Sequence, residues 1–198
     1  MPRNNLRHFH LAIHKLIPSS VALLDPASSE GRGNERNTMP ATLGEQVLER
    51  ISDAEKQYAR LVLVVGPPGT GKTKALHALA EENGFHYVDV GLELARALLD
   101  LSERERARRV RRILEELAGN STPVVVLDNI EVLFDVTLRL EPLGCLQSMA
   151  RNRTIVAAWN GEVSEGHLTY ALPGHPEFKR YPVVGLLIVS ASADIKVC

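Results

Sequence analysis

The chain has 198 residues, a length that suits one domain with a sizeable core and is short for two full domains. Hydrophobic residues make up 44% of it and charged residues 24%, as in an ordinary globular protein. A formal net charge of -1 excludes a whole-molecule attraction to nucleic acids, and no apolar run approaches the roughly 20 residues of a membrane-spanning helix.

The N-terminal part differs in composition from the rest. We predict a flexible, basic arm and linker over residues 1–42 and a folded domain over residues 43–198. The linker is indicated by residues 25–44, which are rich in Gly, Pro, Ser and Asn. The 38 residues before Met39 are either a loosely attached arm of the protein or the product of a gene model that extends too far upstream.

Histidines and cysteines give no strong signal for a metal site. His8, His10 and His14 have a suitable spacing, but no acidic or cysteine ligand lies close in sequence, which favours solvated histidines. Cys145 and Cys198 form no spaced pair typical of a disulfide framework. With no secretory signal pattern at the start, we expect a cytoplasmic protein.

Strand and helix patterns alternate after the linker. Apolar residues at helical spacing near Ile51 predict a short first helix, and continuous β-branched runs predict strands buried on both faces. The predicted strands are 60–65, 85–90, 123–129, 153–161 and 183–189, and later helices are predicted over 72–83, 92–101, 102–119 and around 137–150. This alternation implies an α/β fold, a three-layer αβα sandwich around a parallel five-stranded sheet.

A glycine-rich turn between the first strand and its helix carries the clearest motif. Residues 66–73, GPPGTGKT, match G-x-x-x-x-G-K-[ST] in full. Glycines let backbone amides turn inward around an anion, and the helix N-terminus adds partial positive charge. Lys72 suits the β and γ phosphates of a nucleotide, and the Thr73 hydroxyl suits Mg²⁺. We therefore predict an ATP and Mg²⁺ site formed by Gly66, Pro67, Pro68, Gly69, Thr70, Gly71, Lys72, Thr73 and Lys74.

Two further strands end in polar residues that complete this P-loop pattern. Asp128 ends a buried strand and can hold a magnesium-bound water, or it caps the next turn. A complete strand at 85–90 lies between Lys72 and Asp128, so it is expected outside the Asp-bearing strand. Asn160 ends the following strand, where it orients water near the γ phosphate or begins an Asn-Gly turn. This pattern resembles the AAA+ branch of P-loop ATPases, whose sheet order is 5-1-4-3-2.

The catalytic pattern departs from that branch after Asp128. The AAA+ resemblance implies Glu at the next position, whereas this chain has Asn129, which orients water but cannot accept its proton. Glu131 is the nearest carboxylate, as a catalytic group or as a solvated residue at a helix start. Catalytic roles are therefore predicted for Lys72, Asp128, Asn129, Glu131 and Asn160, with slow or partner-activated hydrolysis.

An arginine that stabilises charge on the transferred phosphoryl group is not identified by the sequence. Arg151, Arg153, Arg180 and a neighbouring subunit are the options considered. The chain also stops soon after its fifth strand, so we expect no C-terminal helical lid, which weakens a remodelling-motor interpretation.

Two other segments leave alternatives open. Residues 103–112, ERERARRVRR, form a nucleic-acid patch or a solvated or protein-contacting helix face, and the i,i+4 pairs Glu105–Arg109 and Arg112–Glu116 favour the latter. Residues 161–182 form a partner-binding or nucleotide-sensing loop, or a hairpin that covers the sheet edge.

Five segments together resemble the BrxF family, small P-loop proteins of type 3 BREX bacteriophage-defence systems. They are LVLVVGPPGTGKT, YVDVGLELARALLDL, VVVLDNIEVLFD, RNRTIVAAWNG and GHLTYALPGHPEFKRYP, and the resemblance covers about residues 43–189. It implies a bacterial cytoplasmic ATP-binding component acting with other defence proteins, including a methyltransferase and a large helicase-like ATPase.

Three functional hypotheses follow. The first is an ATP- and Mg²⁺-dependent switch in an antiphage assembly, with self-association and weak or indirect DNA contact as further options and no membrane partner. The second is a structural adaptor in which ATP completes the fold without hydrolysis. The third is a P-loop small-molecule kinase, which the interposed strand at 85–90 disfavours.

Overall fold

The computed structural model describes residues 41–119 and 121–191. Helices in this part of the chain are α1 (Leu43–Ala54), α2 (Lys72–Asn83), α3 (Val90–Leu98), α4 (Glu103–Ala118) and α5 (Pro142–Met149), with short 3₁₀ helices at Ile130–Phe134 and Val136–Leu138. The strands are β1 (Leu61–Gly66), β2 (His86–Asp89), β3 (Val124–Asp128), β4 (Thr154–Ser164), β5 (His167–Tyr170), β6 (Lys179–Pro182) and β7 (Leu187–Ser190).

A parallel sheet with strand order β2-β3-β4-β1-β7 forms the centre of the fold. With β7 as the fifth parallel strand, this is the predicted order 5-1-4-3-2, so the predicted fold class is confirmed. The register pairs Gly66 with Asn160 and Asp89 with Asp128. The carboxyl ends of β1, β2, β3 and β4 therefore meet at one edge of the sheet.

Two layers of helices cover the sheet because alternate side chains of its buried strands point to opposite faces. Leu61, Leu63 and Val65 of β1 pack in the core cluster that includes apolar residues of α3, α4 and α5. The intervening Val62 and Val64 are fully buried, and α1 and α2 contact the sheet. Burial on both faces explains why these strands read as continuous apolar runs rather than alternating ones.

Helix ends follow local chemistry more closely than apolar periodicity. The predicted capping box at the start of α4 is confirmed, since the Ser102 amide donates to the Glu105 carboxylate at 3.0 Å. The segment around 137–150 is α-helical only from Pro142, because proline suits the first helical turn and disfavours helical backbone in the residue before it. Asp89 ends β2 and caps α3 by accepting from the Leu92 amide at 3.0 Å.

The connection predicted as a loop at 161–182 is largely a β-sheet extension. Strand β4 continues to Ser164 and pairs antiparallel with β5, which pairs antiparallel with β6. The alternative of a hairpin is therefore correct in its antiparallel strands, but the hairpin extends β4, which lies between β3 and β1 and is not an edge strand. The Asn160–Gly161 turn is wrong, since both residues lie within β4 and the reversal occurs at Glu165 and Gly166.

The last strand begins later than predicted, and several predictions for the two ends of the chain lie outside the described residues. Strand β7 begins at Leu187 rather than at 183, because a turn with Gly185 at φ +77° precedes it. The predicted N-terminal arm, the His8, His10 and His14 group, and the chain after Ala191, where a lid was not expected, lie outside the described residues. Within residues 41–119 and 121–191, none of the helices combines the length and apolar character that a membrane crossing requires.

Candidate nucleotide site

The phosphate loop joins the end of β1 to the start of α2. Gly69 and Gly71 have φ values of +83° and +82°, in the left-handed region where residues with a Cβ are strained. Gly71 is also the N-cap residue of α2, so the chain enters the helix directly from this turn. The loop amides and the positive end of the helix dipole consequently converge at one place.

Lys72 lies at the base of the loop and is only 6% exposed. Its Nζ donates to the Gly66 carbonyl at 2.6 Å and to the Pro67 carbonyl at 2.8 Å, and lies 3.4 Å from Thr70 Oγ1. Burial lowers the pKa of Lys72, and the carboxylates of Glu131 and Asp128 oppose that shift. The ammonium group is thus held by the same loop that would surround a phosphate.

Asp128 is 2% exposed at the end of β3, and both of its carboxylate oxygens accept hydrogen bonds. The Asn129 amide donates to Oδ1 at 2.9 Å, and the Tyr87 hydroxyl donates to Oδ2 at 2.8 Å. A buried carboxylate needs such partners because burial penalises its charge. The carboxylate is therefore fixed in orientation.

A cavity of about 800 Å³ brings most of the predicted site residues together. Its lining comprises Pro68, Gly69, Gly71, Lys72, Thr73, Lys74, His77, Ala78, Glu81, Asp128, Asn129 and Asn160. The remaining predicted loop residues, Gly66, Pro67 and Thr70, contact the ammonium group of Lys72. The hydroxyl of Thr73 and the carboxylate of Asp128 are hard oxygen ligands in one cavity with the phosphate loop, a donor set that fits Mg²⁺.

Asn129 directly follows Asp128 in the chain. Its backbone is left-handed, with φ +52°, which asparagine tolerates better than most residues. The side-chain Nδ2 donates to Asp89 Oδ2 at 2.9 Å. The side-chain amide of Asn129 is thus bonded to Asp89 at the end of β2, although the residue also lines the cavity.

Glu131 and Asn160 form a direct contact across 29 residues of sequence. Asn160 Nδ2 donates to Glu131 Oε1. Glu131 lies in the first 3₁₀ helix and lines a second cavity of about 520 Å³, beside Pro67, Pro68 and Asn160. Glu131 thus lies at a helix start, as the alternative held, but its side chain is half-buried and faces the phosphate-loop side of the molecule.

An aromatic cluster connects this pair to the β4–β5–β6 extension. The rings of Phe134 and Tyr170 stack with centroids 3.5 Å apart, and Trp159 packs edge-on to Phe134 at 5.1 Å. Trp159 Nε1 donates to the Thr169 carbonyl at 2.8 Å. Burial, with smaller contributions from Glu177 and Glu131, raises the pKa of Tyr170 to about 12. Because Phe134 follows Glu131 in one 3₁₀ helix and Trp159 precedes Asn160, the cluster fixes both partners.

The three arginines considered for phosphoryl-charge stabilisation do not line either of these cavities. Arg151 and Arg153 precede β4, at the end of the strand opposite to Asn160, and the six strand steps from Thr154 to Asn160 alone span about 20 Å. Arg180 lies on β6, where its guanidinium group is 3.8 Å from Glu165. Within one chain, the options Arg151 and Arg153 therefore lie far from the phosphate loop.

The arginine-rich segment at 103–112 forms α4, and several of its side chains have intramolecular partners. Arg106 donates to the carbonyls of Leu98 and Leu101 at 3.1 and 2.8 Å, which caps the end of α3. Arg112 and Glu116 form the expected i,i+4 pair at 2.7 Å. These contacts favour the helix-face interpretation over a nucleic-acid patch.

Two residues of the site were missed by sequence reasoning. Tyr87 and Asp89 both lie on β2, where they contact Asp128 and Asn129, respectively. The available signal was the alternation of β2, which places residues 87 and 89 on the same face of the strand. Among the described residues, no group of three His, Cys, Asp or Glu side chains is arranged to hold a metal by itself.

Part of this chain is similar in sequence to known proteins. Residues 62–141 match the model of the family described as "ATPase family associated with various cellular activities (AAA)". The replication factor C large subunit of Pyrobaculum calidifontis is 39% identical over 84 residues, which are 41% of this chain and 18% of that protein. The zinc metalloprotease FtsH of a Synechococcus strain is 34% identical over 86 residues, 43% of this chain and 13% of that protein.

The solved structure of C. elegans PCH-2 aligns with 64% of this chain and 40% of that one, with a TM-score of 0.41 and 19% identity. This chain thus spans less than a fifth of the length of the two curated relatives. The stretch that matches the family model, residues 62–141, includes the phosphate loop, Asp128, Asn129 and Glu131.

Proposed function

We propose that the AAA-like stretch at residues 62–141 makes the protein an ATP- and Mg²⁺-binding switch whose hydrolysis is slow or activated by a partner. The observation that carries the proposal is the single cavity in which Lys72 and Thr73 face Asp128. A phosphate loop supplies amides and an ammonium group for the β and γ phosphates. Thr73 and Asp128 would hold Mg²⁺, which neutralises phosphate charge when bound.

Slow hydrolysis is supported by the side chains near the end of β3. The side-chain amide of Asn129 cannot accept a proton from water, and it is hydrogen-bonded to Asp89. Glu131 is a carboxylate with the chemistry of a general base, but it accepts a hydrogen bond from Asn160. Release of Glu131 from Asn160 would allow its carboxylate to turn toward an attacking water, so a partner that separates the pair would accelerate hydrolysis.

The biological setting that we propose is a BREX-type antiphage defence assembly in the bacterial cytoplasm. Its support is the resemblance of five segments to the BrxF family, over about residues 43–189. The partners in this setting are other BREX proteins and further copies of this chain. DNA contact is proposed as weak or indirect, because Arg106 and Arg112 of α4 are bonded within the protein.

Calorimetry of the full chain with ATP, in Mg²⁺ and in EDTA, tests nucleotide and metal binding. Phosphate release with and without purified BREX partners and DNA then tests the switch. Binding with slow release that the partners accelerate supports the proposal. No uptake of ATP would overturn it.

Two alternatives have distinct results in the same experiments. ATP binding that raises the melting temperature, with no phosphate release under any condition, would identify the nucleotide-stabilised adaptor. Accumulation of a phosphorylated metabolite would identify a small-molecule kinase. The strand β2 outside the Asp-bearing β3 supports the ATPase interpretation over the kinase.

A further inference from the structure

Beyond the phosphate loop and Asp128, one side chain contacts the metal-site carboxylate without facing the phosphates itself. Tyr87 lies on β2, and its hydroxyl donates to Asp128 Oδ2 at 2.8 Å across 41 residues of sequence. Tyr87 is absent from the lining of the phosphate cavity, whereas Asp128 is part of it. Any effect of Tyr87 on a bound cation would therefore pass through Asp128.

Resting on the proposed function, we infer that Tyr87 is a positioning residue that fixes the Asp128 carboxylate for a phosphate-bound divalent cation. An ionised carboxylate has two oxygens with about two acceptor positions each. The backbone amide of Asn129 donates to Asp128 Oδ1, and the Tyr87 hydroxyl donates to Asp128 Oδ2. These two hydrogen bonds restrict rotation of the Asp128 carboxylate. Each of its oxygens keeps one acceptor position free for a group bound in the cavity.

The position of Tyr87 follows from the strand register. Tyr87 pairs with Val126 in the β2–β3 ladder, while Asp128 lies two residues further along β3. Two strand residues span about 6.6 Å, which a phenol side chain can reach. The ring is held edge-on by His77 of α2, with centroids 5.1 Å apart. The hydroxyl is thus directed along the strand toward the phosphate edge.

The low exposure of Asp128 makes the Tyr87 hydroxyl hard to replace. Because Asp128 is 2% exposed, bulk water has little access to replace the lost donor in a variant.

The test is a comparison of ATP affinity with and without metal in Tyr87→Phe, which keeps the ring that packs on His77. We define metal coupling as the Kd for ATP in EDTA divided by the Kd in saturating Mg²⁺. Loss of a group that orients a metal ligand typically costs about tenfold or more in metal affinity. We expect metal coupling to fall about tenfold, while the Kd in EDTA changes less than about twofold.

Two controls separate positioning from a structural role. Tyr58→Phe removes the hydroxyl of a tyrosine that is 79% exposed and should leave metal coupling unchanged. In an Asp128→Ala background, Tyr87→Phe should have no further effect on coupling, since its action passes through that carboxylate.

The outcomes distinguish the inference from the function on which it rests. Unchanged metal coupling in Tyr87→Phe, or an equal loss of affinity in EDTA and Mg²⁺, would overturn the positioning role while leaving ATP binding intact. A further loss of coupling on adding Tyr87→Phe to Asp128→Ala would also overturn it. Failure of the wild-type chain to bind ATP in either condition would overturn the proposed function and the inference together.

Discussion

The side-chain amide of Asn129 donates a hydrogen bond to Asp89 at 2.9 Å and thereby joins the ends of two neighbouring parallel strands. The same Asp89 caps α3 through its other oxygen, which accepts from Leu92. Asn129 thus stabilises the strand ends at the position where the AAA+ resemblance implies a water-polarising glutamate. This contact links the departure from the expected catalytic pattern to a structural role.

Replacement of Asn129 by Asp tests that contact with a side chain of the same shape. Two carboxylates would then meet in place of an amide and a carboxylate, so we expect a loss of about 1 kcal/mol in the free energy of unfolding at neutral pH. The loss is modest because Asn129 is exposed and solvent screens the pair. Urea denaturation of variant and wild type measures it.

The pH dependence of that loss has a definite sign. Because the repulsion requires both carboxyl groups to be ionised, the loss should be smaller in acid than at neutral pH. Adding Asp89→Asn should restore most of the stability, because the amide and carboxylate exchange places. An undiminished loss in the double variant would contradict the pairing.

Glu131→Gln tests the carboxylate that contacts Asn160. We expect phosphate release to fall at least about tenfold, because an amide cannot accept a proton from water, while ATP affinity changes less than about twofold. The matched control is Glu162→Gln, which alters another glutamate beside the second cavity. Equal rates for wild type and Glu131→Gln under partner-activated conditions would exclude Glu131 as the base.

Lys72→Ala tests nucleotide binding and assembly together. Loss of the ammonium group that the loop carbonyls hold should abolish measurable ATP uptake and any ATP-dependent change in molecular size. Size-exclusion chromatography with light scattering, with and without ATP and Mg²⁺, makes the comparison. Lys56→Ala, at a lysine side chain that is 80% exposed, should behave as wild type. ATP-dependent assembly that persists in Lys72→Ala would show that the phosphate loop does not control it.

Gly161→Ala tests the antiparallel extension of β4. A Cβ at this position would overlap the Thr169 carbonyl oxygen and lie 2.9 Å from Trp159 Nε1. We expect a loss of at least about 2 kcal/mol in unfolding free energy, since the backbone and a buried ring must shift. Gly144→Ala in α5, where the nearest atom is 3.7 Å away, should be neutral or slightly stabilising. Equal melting temperatures for the two variants would contradict this packing.

The amino-acid sequence by itself determined the core of this protein. Apolar runs such as 61–65 and 124–127 identify strands buried on both faces, because such strands need no polar side. The fixed spacing of GPPGTGKT identifies the phosphate loop, because its glycines and lysine perform local backbone chemistry. The interposed strand at 85–90 supported the resemblance to AAA+ ATPases, and that resemblance implied the strand order that the structure has.

Only the tertiary structure decided what the polar side chains at the sheet edge contact. Tyr87 and Asp128 are 41 residues apart in sequence, and Asn129 and Asp89 are 40 apart. The Asn-Gly pair at residues 160–161 favoured a turn locally, yet pairing with β1 and with β5 holds it in a strand. Local propensities act within a few residues, whereas hydrogen-bond partners depend on strand register and packing, which are set by the whole fold.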